Sequence, residues 1–303
     1  MRVIQRLYCG DADKTEMVAL ARAFPAEHTH VIDLPYRLSS WAFDFPENVG
    51  LWVDSDEQLA AWAVLQKPFW TIDCACHPAA QVEFYPLLLA WADLRARQII
   101  DTVGGRPAWY INVFSDQTTC IHILEEAGFT SQANAGTDAW SKVFMLRPGS
   151  LPVDHFRIPP GFTIRPLAGE DEVEAYVALH QAVFETKNMT AAWRRRILHH
   201  PDYTPGLDVV VSVPDGRLAA FCIGWLDPTG RSGQIEPLGC HADFRRYALG
   251  RLALAEVLRR LKKEGVGQIY VETDNYRDTA FRLYQSLGFE VVRDILVFRK
   301  DYA

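Results

Sequence analysis

The stretch His241-Ala-Asp-Phe-Arg-Arg-Tyr-Ala-Leu-Gly-Arg251 joins two segments of different hydrophobic period. Before it, the apolar run over 234–240 reads as a strand. After it, Leu249, Leu252, Ala253, Val257, Leu258 and Leu261 recur at the three-and-four spacing of one helix face. Arg251, Arg259, Arg260, Lys262 and Lys263 fall elsewhere, and Gly265 ends the helix. A strand entering a helix in this way leaves the first-turn N–H groups without internal acceptors, at the positive end of the helix dipole. Arg245, Arg246 and Arg251 add charge, while the small residues Ala248 and Gly250 let phosphate oxygens approach the backbone. The same residues also suit an ordinary strand-to-helix turn with a solvated basic patch.

Upstream, residues 207–213 and 218–225 flank Pro214-Asp-Gly216 and read as a hairpin. Downstream come a strand over 268–273, a helix through Ala280, Phe281, Tyr284 and Leu287 closed by Gly288, and strands over 290–300. This order predicts a mixed α/β sheet.

The pattern occurs twice. Leu59-Ala-Ala-Trp62 matches Leu218-Ala-Ala-Phe221, Cys76-His77 matches Cys240-His241, and Leu124-Glu-Glu-Ala-Gly-Phe129 matches Tyr284-Gln-Ser-Leu-Gly-Phe289, in one order and at an offset near 160 residues. Between the copies, residues 147–161 hold four prolines and two glycines, which resist helix and central strand alike. The expectation is a first domain over 1–146, a linker over 147–161 and a second domain over 162–303.

At 303 residues, 49% hydrophobic and 23% charged, the chain can bury full cores. No apolar stretch reaches the ~18–20 residues of a membrane span, and the start lacks a secretion signal, so a cytoplasmic location without a membrane partner is expected. The six cysteines are irregularly spaced and read as free thiols. Cys74-Ala-Cys76-His77 reads as part of a buried strand, since no second cluster completes a metal site, and His199-His200 as a helix end before Pro201. No metal is expected. Net charge is −7: residues 1–150 carry 11 basic against 18 acidic side chains, and residues 151–303 carry 20 of each. This disfavours a nucleic-acid partner, which wants a basic face.

Arg245-x-x-Ala248-x-Gly250 resembles the Arg/Gln-x-x-Gly-x-Gly/Ala signature of the GNAT N-acetyltransferase superfamily, and Tyr284-Gln-Ser-Leu-Gly-Phe289 resembles its Tyr-x-x-Leu-Gly-Phe ending. The resemblance covers about 140 residues, from about Phe162 onward. It implies two tandem GNAT-like domains, each a mostly antiparallel twisted sheet flanked by helices. It further implies acetyl-CoA as co-substrate, held by backbone groups of Gly239, Cys240 and His241 along its pantetheine arm. The N–H groups of Arg246, Tyr247, Ala248, Leu249, Gly250 and Arg251 would hold the pyrophosphate, with the Arg245 side chain nearby. Asn275 would hold the cofactor arm. Glu236, in the strand where relatives carry a carboxylate, is the implied base, the alternative being a glutamate that only bonds backbone beside Pro237. Tyr284 is the implied acid, the alternative being a core aromatic. Glu272 and Asp274 would bind acceptor or face solvent.

The signature's first glycine is Ala248 here. Alanine is strained if that position needs positive φ, and costs little if it already lies in the helical first turn. The second is expected. In the first half the matching stretch, His77-Pro-Ala-Ala-Gln-Val-Glu-Phe-Tyr-Pro86, has neither arginine nor glycine, and Leu124 stands where the other copy has Tyr284. That half reads as a degenerate copy that binds no CoA and is kept for packing or substrate binding. It holds seven of the nine tryptophans (Trp41, Trp52, Trp62, Trp70, Trp91, Trp109 and Trp140), expected mostly to fill core. The leading expectation is transfer of acetyl to a small-molecule amine by direct attack in a ternary complex. The alternatives are a peptide or protein N-acetyltransferase and a non-catalytic CoA-binding sensor. Oligomeric state is not legible in the sequence.

Overall fold

The computed structural model describes residues 4–102, 105–227, 231–275 and 278–302. They form two compact units, each a mixed α/β layer with its sheet flanked by helices. Unit 1 comprises residues 1–143, 274–276 and 293–303, and unit 2 comprises residues 144–273 and 277–292.

In unit 1 the order is β1 (Ile4–Arg6), α1 (Asp11–Ala23), α2 (Leu34–Leu38), β2 (Val49–Val53), β3 (Leu59–Gln66), β4 (Thr71–Cys76), α3 (Gln81–Ile99), β5 (Ala108–Phe114), α4 (Thr118–Glu126) and the short β6 (Thr130–Ser131). Unit 2 starts within β7 (Lys142–Pro148) and continues through β8 (Thr163–Pro166), α5 (Val173–Phe184), α6 (Ala191–Leu198), β9 (Asp208–Ser212), β10 (Leu218–Asp227), β11 (Ser232–Cys240), α7 (Leu249–Lys263), β12 (Gln268–Asp274) and α8 (Asp278–Gln285). The chain ends in β13 (Glu290–Asp301), one strand where the sequence suggested several. The strand order is β1-β2-β3-β4-β5-β13 in unit 1 and β7-β12-β11-β10-β9-β8 in unit 2.

Two strands lie apart in sequence from the sheets they complete. Residues 295–301 of β13 pair antiparallel with residues 108–114 of β5, so the end of the chain finishes the sheet of the first unit. β7, just before the proline-rich segment, is hydrogen-bonded to β12. The expected linker over 147–161 therefore begins inside a strand. Its first residue, Arg147, is buried and donates from its guanidinium to the carbonyls of Leu287, Pro148, Leu151 and Pro152.

The core of unit 2 follows from the periodicity of α7, whose Leu249, Leu252, Ala253, Leu254, Ala255, Val257, Leu258 and Leu261 are all buried. Gly265, at φ 78°, ends the helix in the left-handed conformation. In unit 1, α3 sets Phe84, Leu88, Leu89, Ala92 and Ala96 against Trp109 and Ile111 of β5 and Phe298 of β13. Of the seven tryptophans expected mainly to fill that core, Trp52, Trp62 and Trp109 are buried, whereas Trp41, Trp91 and Trp140 are half-buried and Trp70 is exposed. All six cysteines are free thiols. No helix among the described residues is long and apolar enough to cross a membrane, and no group of three metal-ligating side chains occurs among them.

Candidate functional site

The site grows from a single topological event. β11 and β12 run parallel, and their pairing covers only Ser232–Gln268, Gly233–Ile269 and Gln234–Tyr270. β11 then continues to Cys240 alongside β10 alone. From residue 235 onward one edge of β11 is open.

Which backbone groups face that edge follows from the antiparallel ladder. The His241 N–H donates to the Ala219 carbonyl at 2.9 Å, so 241 and, two residues back, 239 direct their polar groups toward β10. Cys240 and Leu238 direct theirs the other way, into the splay. This narrows the expectation for Gly239, Cys240 and His241: of the three, Cys240 presents its backbone to the cleft, together with the unanticipated Leu238. Gly239 has a packing reason to be glycine, because a Cβ there would meet Phe221 at 2.5 Å and Val183 at 2.7 Å.

Beyond the strand, the His241 ring caps a 3-10 turn over 242–247, its Nδ1 accepting from the Asp243 N–H at 3.3 Å. Ala248 then sits at φ 55°, ψ 29° as the residue before α7. The expectation that it lies in the helical first turn is corrected: it is left-handed, the conformation in which glycine is at ease and alanine is not. The turn and the helix have different axes, and one left-handed residue makes the change. No side chain caps α7, and the first bond into the helix from this end is Leu252 N–H to Ala248 O at 3.1 Å. The N–H groups of Leu249, Gly250 and Arg251 thus have no intrahelical acceptor.

Around this helix start, Arg245 and Arg246 are exposed and have no ion-pair partner among the described residues, and Arg251 lies over the Phe156 ring at 5.4 Å. Tyr247 is half exposed and packs on Phe162 at 5.0 Å, which holds the turn against the segment before β8. A Cβ at Gly250 would meet only the Cys240 side chain, at 3.8 Å. Protein packing does not demand glycine there, whereas a ligand lying against the helix start would. The residues present fit a pyrophosphate: first-turn N–H groups without intrahelical acceptors, that of Gly250 reaching only the Cys240 thiol, an open backbone and uncommitted guanidinium groups.

Glu236 lies half-buried on β11, where its carbonyl accepts from the Trp225 indole at 2.7 Å. Its carboxylate is close enough to Tyr176 and Cys222 to help burial push both groups up. Tyr284 is buried on α8, edge-on to Phe289 with ring centroids 5.7 Å apart. Asn275 is engaged elsewhere: its backbone N–H donates to Ser141 O and its side-chain oxygen accepts from Ser141 N, in the manner of a strand partner. That pairing, rather than a cofactor arm, accounts for its position.

Sequence reasoning missed the buried ionic cluster near Glu236. Arg194 is fully buried, paired with Asp208 and stacked 3.8 Å above the Tyr176 ring, and Tyr203 donates to the same Asp208 oxygen at 2.7 Å. Arg194 Nε and Nη1 and Asp208 Oδ1 have no further hydrogen-bond partner among the described residues. Nearby His180 is pushed down to about 3 by burial and by Arg194, so it is neutral at pH 7. In the sequence, Arg194 opens a run of three arginines that reads as a solvated helix face. An aspartate opening the apolar stretch from 208 was the available signal.

The corresponding turn of unit 1 repeats this backbone in detail. His77 N–H donates to Ala60 O at 2.8 Å, and its Nδ1 accepts from Ala79 N–H at 3.2 Å, as His241 does with Ala219 and Asp243. Gly128 and Gly288 are left-handed at φ 84° and 86°, and Phe129 N–H and Phe289 N–H donate to Leu124 O and Tyr284 O, each five residues back.

Comparisons with known proteins agree with this geometry. Residues 171–289 match the model of the acetyltransferase (GNAT) family. The chain is similar to a mycothiol acetyltransferase of Thermobispora bispora, 26% identical over 155 residues covering 48% of this chain and 52% of the relative, and to one of Thermomonospora curvata, 28% identical over 150 residues covering 48% and 50%. It thus spans about half the length of the curated relatives it matches. Among solved structures, a GCN5-related N-acetyltransferase from Sphaerobacter thermophilus superposes with TM-score 0.68 at 18% identity, covering 99% of this chain and 95% of the other. A tandem GNAT protein from the clavulanic acid biosynthesis pathway gives TM-score 0.68 at 14% identity over 99% and 98%. These structures share the fold.

Proposed function

With residues 171–289 carrying a domain of the GNAT acetyltransferase family, we propose that this chain transfers acetyl from acetyl-CoA to the amine of a small molecule by direct attack in a ternary complex. The observation that carries the reading is the combination of an open β11 edge with an uncapped α7 start bearing Gly250 and free arginines. Backbone groups of Leu238 and Cys240 bind the pantetheine arm in strand fashion, and the N–H groups of Leu249, Gly250 and Arg251 bind the pyrophosphate. The side chains of Arg245 and Arg246 supply countercharge.

Acetyl-CoA supplies an activated acetyl group with a thiolate as leaving group. Glu236 takes the proton from the acceptor ammonium, directly or through a water, so that a neutral amine attacks. Tyr284 gives its hydroxyl proton to the departing thiolate. The small acceptor is suggested by the relatives named mycothiol acetyltransferase. A degenerate first unit, without the basic loop, and a cytoplasmic setting for the six free thiols belong to the same proposal.

The test is release of free CoA thiol from acetyl-CoA in the presence of a panel of small amines and peptides. Release that depends on small amines supports the proposal. Tight CoA binding with no acceptor-dependent release replaces it with a sensor role, and release with peptides alone replaces the acceptor class. Tyr284→Phe lowers kcat by about 10²-fold at neutral pH with little change in KM for acetyl-CoA, as expected for loss of a general acid. Equal turnover removes Tyr284 from the mechanism. Glu236→Gln abolishes the acid limb of the pH–rate profile, and an unaltered profile displaces Glu236.

A further inference from the structure

In unit 1 the strands splay as they do in unit 2. β4 and β5 are parallel and pair at one position, Thr71 with Tyr110, before diverging. The opening is a cavity of about 40 Å³, room for roughly three waters. Its lining mixes apolar and polar groups, holds no lysine or arginine, and includes His30, which is paired with Asp33. Glu27 is held in place by two neutral amides, Gln81 Nε2 at 3.3 Å and Gln117 Nε2 at 3.1 Å, and no cation pairs with it among the described residues. His28 lines the same cavity at 8% exposure, with no hydrogen-bond partner for Nε2 among the described residues. Burial holds this ring neutral, pushed down to about 4. Asn112 Oδ1, also in the lining, is buried and equally unpartnered. Trp62 and Tyr85 provide aromatic wall, and the thiols of Cys74 and Cys76 are pushed far up by burial and carry no charge. Arg37, a buried cation beside the lining residue Asp73, is spent on Asp73 and Thr71.

A carboxylate, an amide oxygen and a neutral imidazole, whose Nε2 accepts in the tautomer protonated at Nδ1, offer three acceptors around one small cavity, and a primary ammonium has three N–H donors and one positive charge. From this juxtaposition we propose that unit 1 holds a second small-molecule site, separate from the transfer site of unit 2, that binds a primary ammonium group through Glu27, His28 and Asn112. Phosphate-bearing ligands are excluded by the missing basic groups, and neutral ligands leave the Glu27 charge uncompensated in a half-buried cavity. The aromatic wall adds cation–π attraction.

The test uses the full chain without acetyl-CoA, in phosphate buffer free of amines, titrated calorimetrically with ethanolamine, ethylene glycol, glycolate and potassium chloride. Four non-hydrogen atoms at the ceiling of ~1.5 kcal/mol each cannot bind tighter than roughly 40 μM. The expected result is saturable binding of ethanolamine with a Kd of about 0.1–10 mM and at least tenfold weaker binding of the three controls. Glu27→Gln weakens ethanolamine at least tenfold, and Asn112→Leu, which fills the cavity, does the same should the first variant fold poorly. Absence of saturable binding, equal binding of ethylene glycol, or binding unaltered in both variants overturns the proposal. Amine-dependent thiol release that persists in Glu27→Gln keeps this site distinct from the transfer site, so either reading can fail without the other.

Discussion

Position 248 carries an alanine in a backbone conformation that costs an L-residue about 1–2 kcal/mol. Glycine removes that cost but adds entropy to the unfolded chain, so Ala248→Gly is expected to raise stability by roughly 0.5–1 kcal/mol net. A denaturant midpoint that falls contradicts the left-handed assignment. Gly250 separates ligand binding from folding. Its Cβ position is open, and alanine is the better helix former by ~1 kcal/mol, so Gly250→Ala keeps or raises stability. The same methyl lies where the pyrophosphate approaches, so KM for acetyl-CoA rises about tenfold or more, some 1.4 kcal/mol. A normal KM in this variant places the phosphates elsewhere. The two neutral buried histidines govern acid stability. His28 and His180 have native values pushed below the usual 6.5, to about 4 and about 3, so between those values the unfolded chain binds protons the native chain refuses. Stability is therefore complete above pH 6.5 and is lost as pH falls through 6.5 toward 4, by an amount on the order of 3 kcal/mol per histidine. Unfolding midpoints measured from pH 7 to 4.5 fall steeply in the native chain and less steeply in His180→Gln. Parallel slopes would show that His180 is not held neutral.

The elements that sequence reasoning found are those whose pattern is complete within a short window. α7 was legible because one face repeats over fifteen residues, and the β9–β10 hairpin because Pro214-Asp-Gly216 marks its turn. α8 ends at Gln285, short of Leu287, which continues the apolar face in a turn after the helix. α5 was not anticipated, and of α6 only the end was, read from His199-His200 before Pro201. α6 is eight residues with three consecutive arginines, and only the tertiary pairing of Arg194 with Asp208 on β9 reveals which of them faces inward. The site divides in the same way: the helix start and its arginines were legible as local chemistry. The conformation of Ala248, the facing of Cys240 and Leu238, and the diversion of Asn275 to Ser141 depend on neighbours remote in sequence. The Arg194–Asp208 pair makes the tie between α6 and β9 measurable. Arg194→Met leaves a buried carboxylate without its cation and is expected to cost about 3–5 kcal/mol. Arg194→Met with Asp208→Asn removes the charge while keeping an acceptor for Tyr203, and recovers much of that loss. A double variant no more stable than the single would show that the guanidinium acts by packing on Tyr176 rather than by charge.

At the scale of the molecule, each compact unit depends on a strand that a cut through the proline-rich segment would remove. Residues 1–146 include β1 to β6 and five of the seven residues of β7 but not β13, whose residues 295–301 cover β5 and whose Phe298 enters the core beside Trp109, with Tyr302 just beyond it. Without that strand, β5 presents a row of unpaired N–H and C=O groups along an edge of Ala108, Trp109, Ile111 and Val113, all buried in the full chain. Repeats detected by sequence matching gave no hint of this, because pairing between remote strands leaves no periodic signature. A fragment of residues 1–146 is accordingly expected to be aggregation-prone or to lack cooperative unfolding. Joining residues 290–303 to residue 143 through a flexible linker long enough to reach β5 restores the missing ladder, and is expected to give a soluble species with a sigmoidal denaturation curve. The two proteins differ only in that strand, the linker and three residues of β7. Comparable solubility and cooperativity in both would mean that unit 1 folds without β13, and that the boundary lies at the proline-rich segment after all.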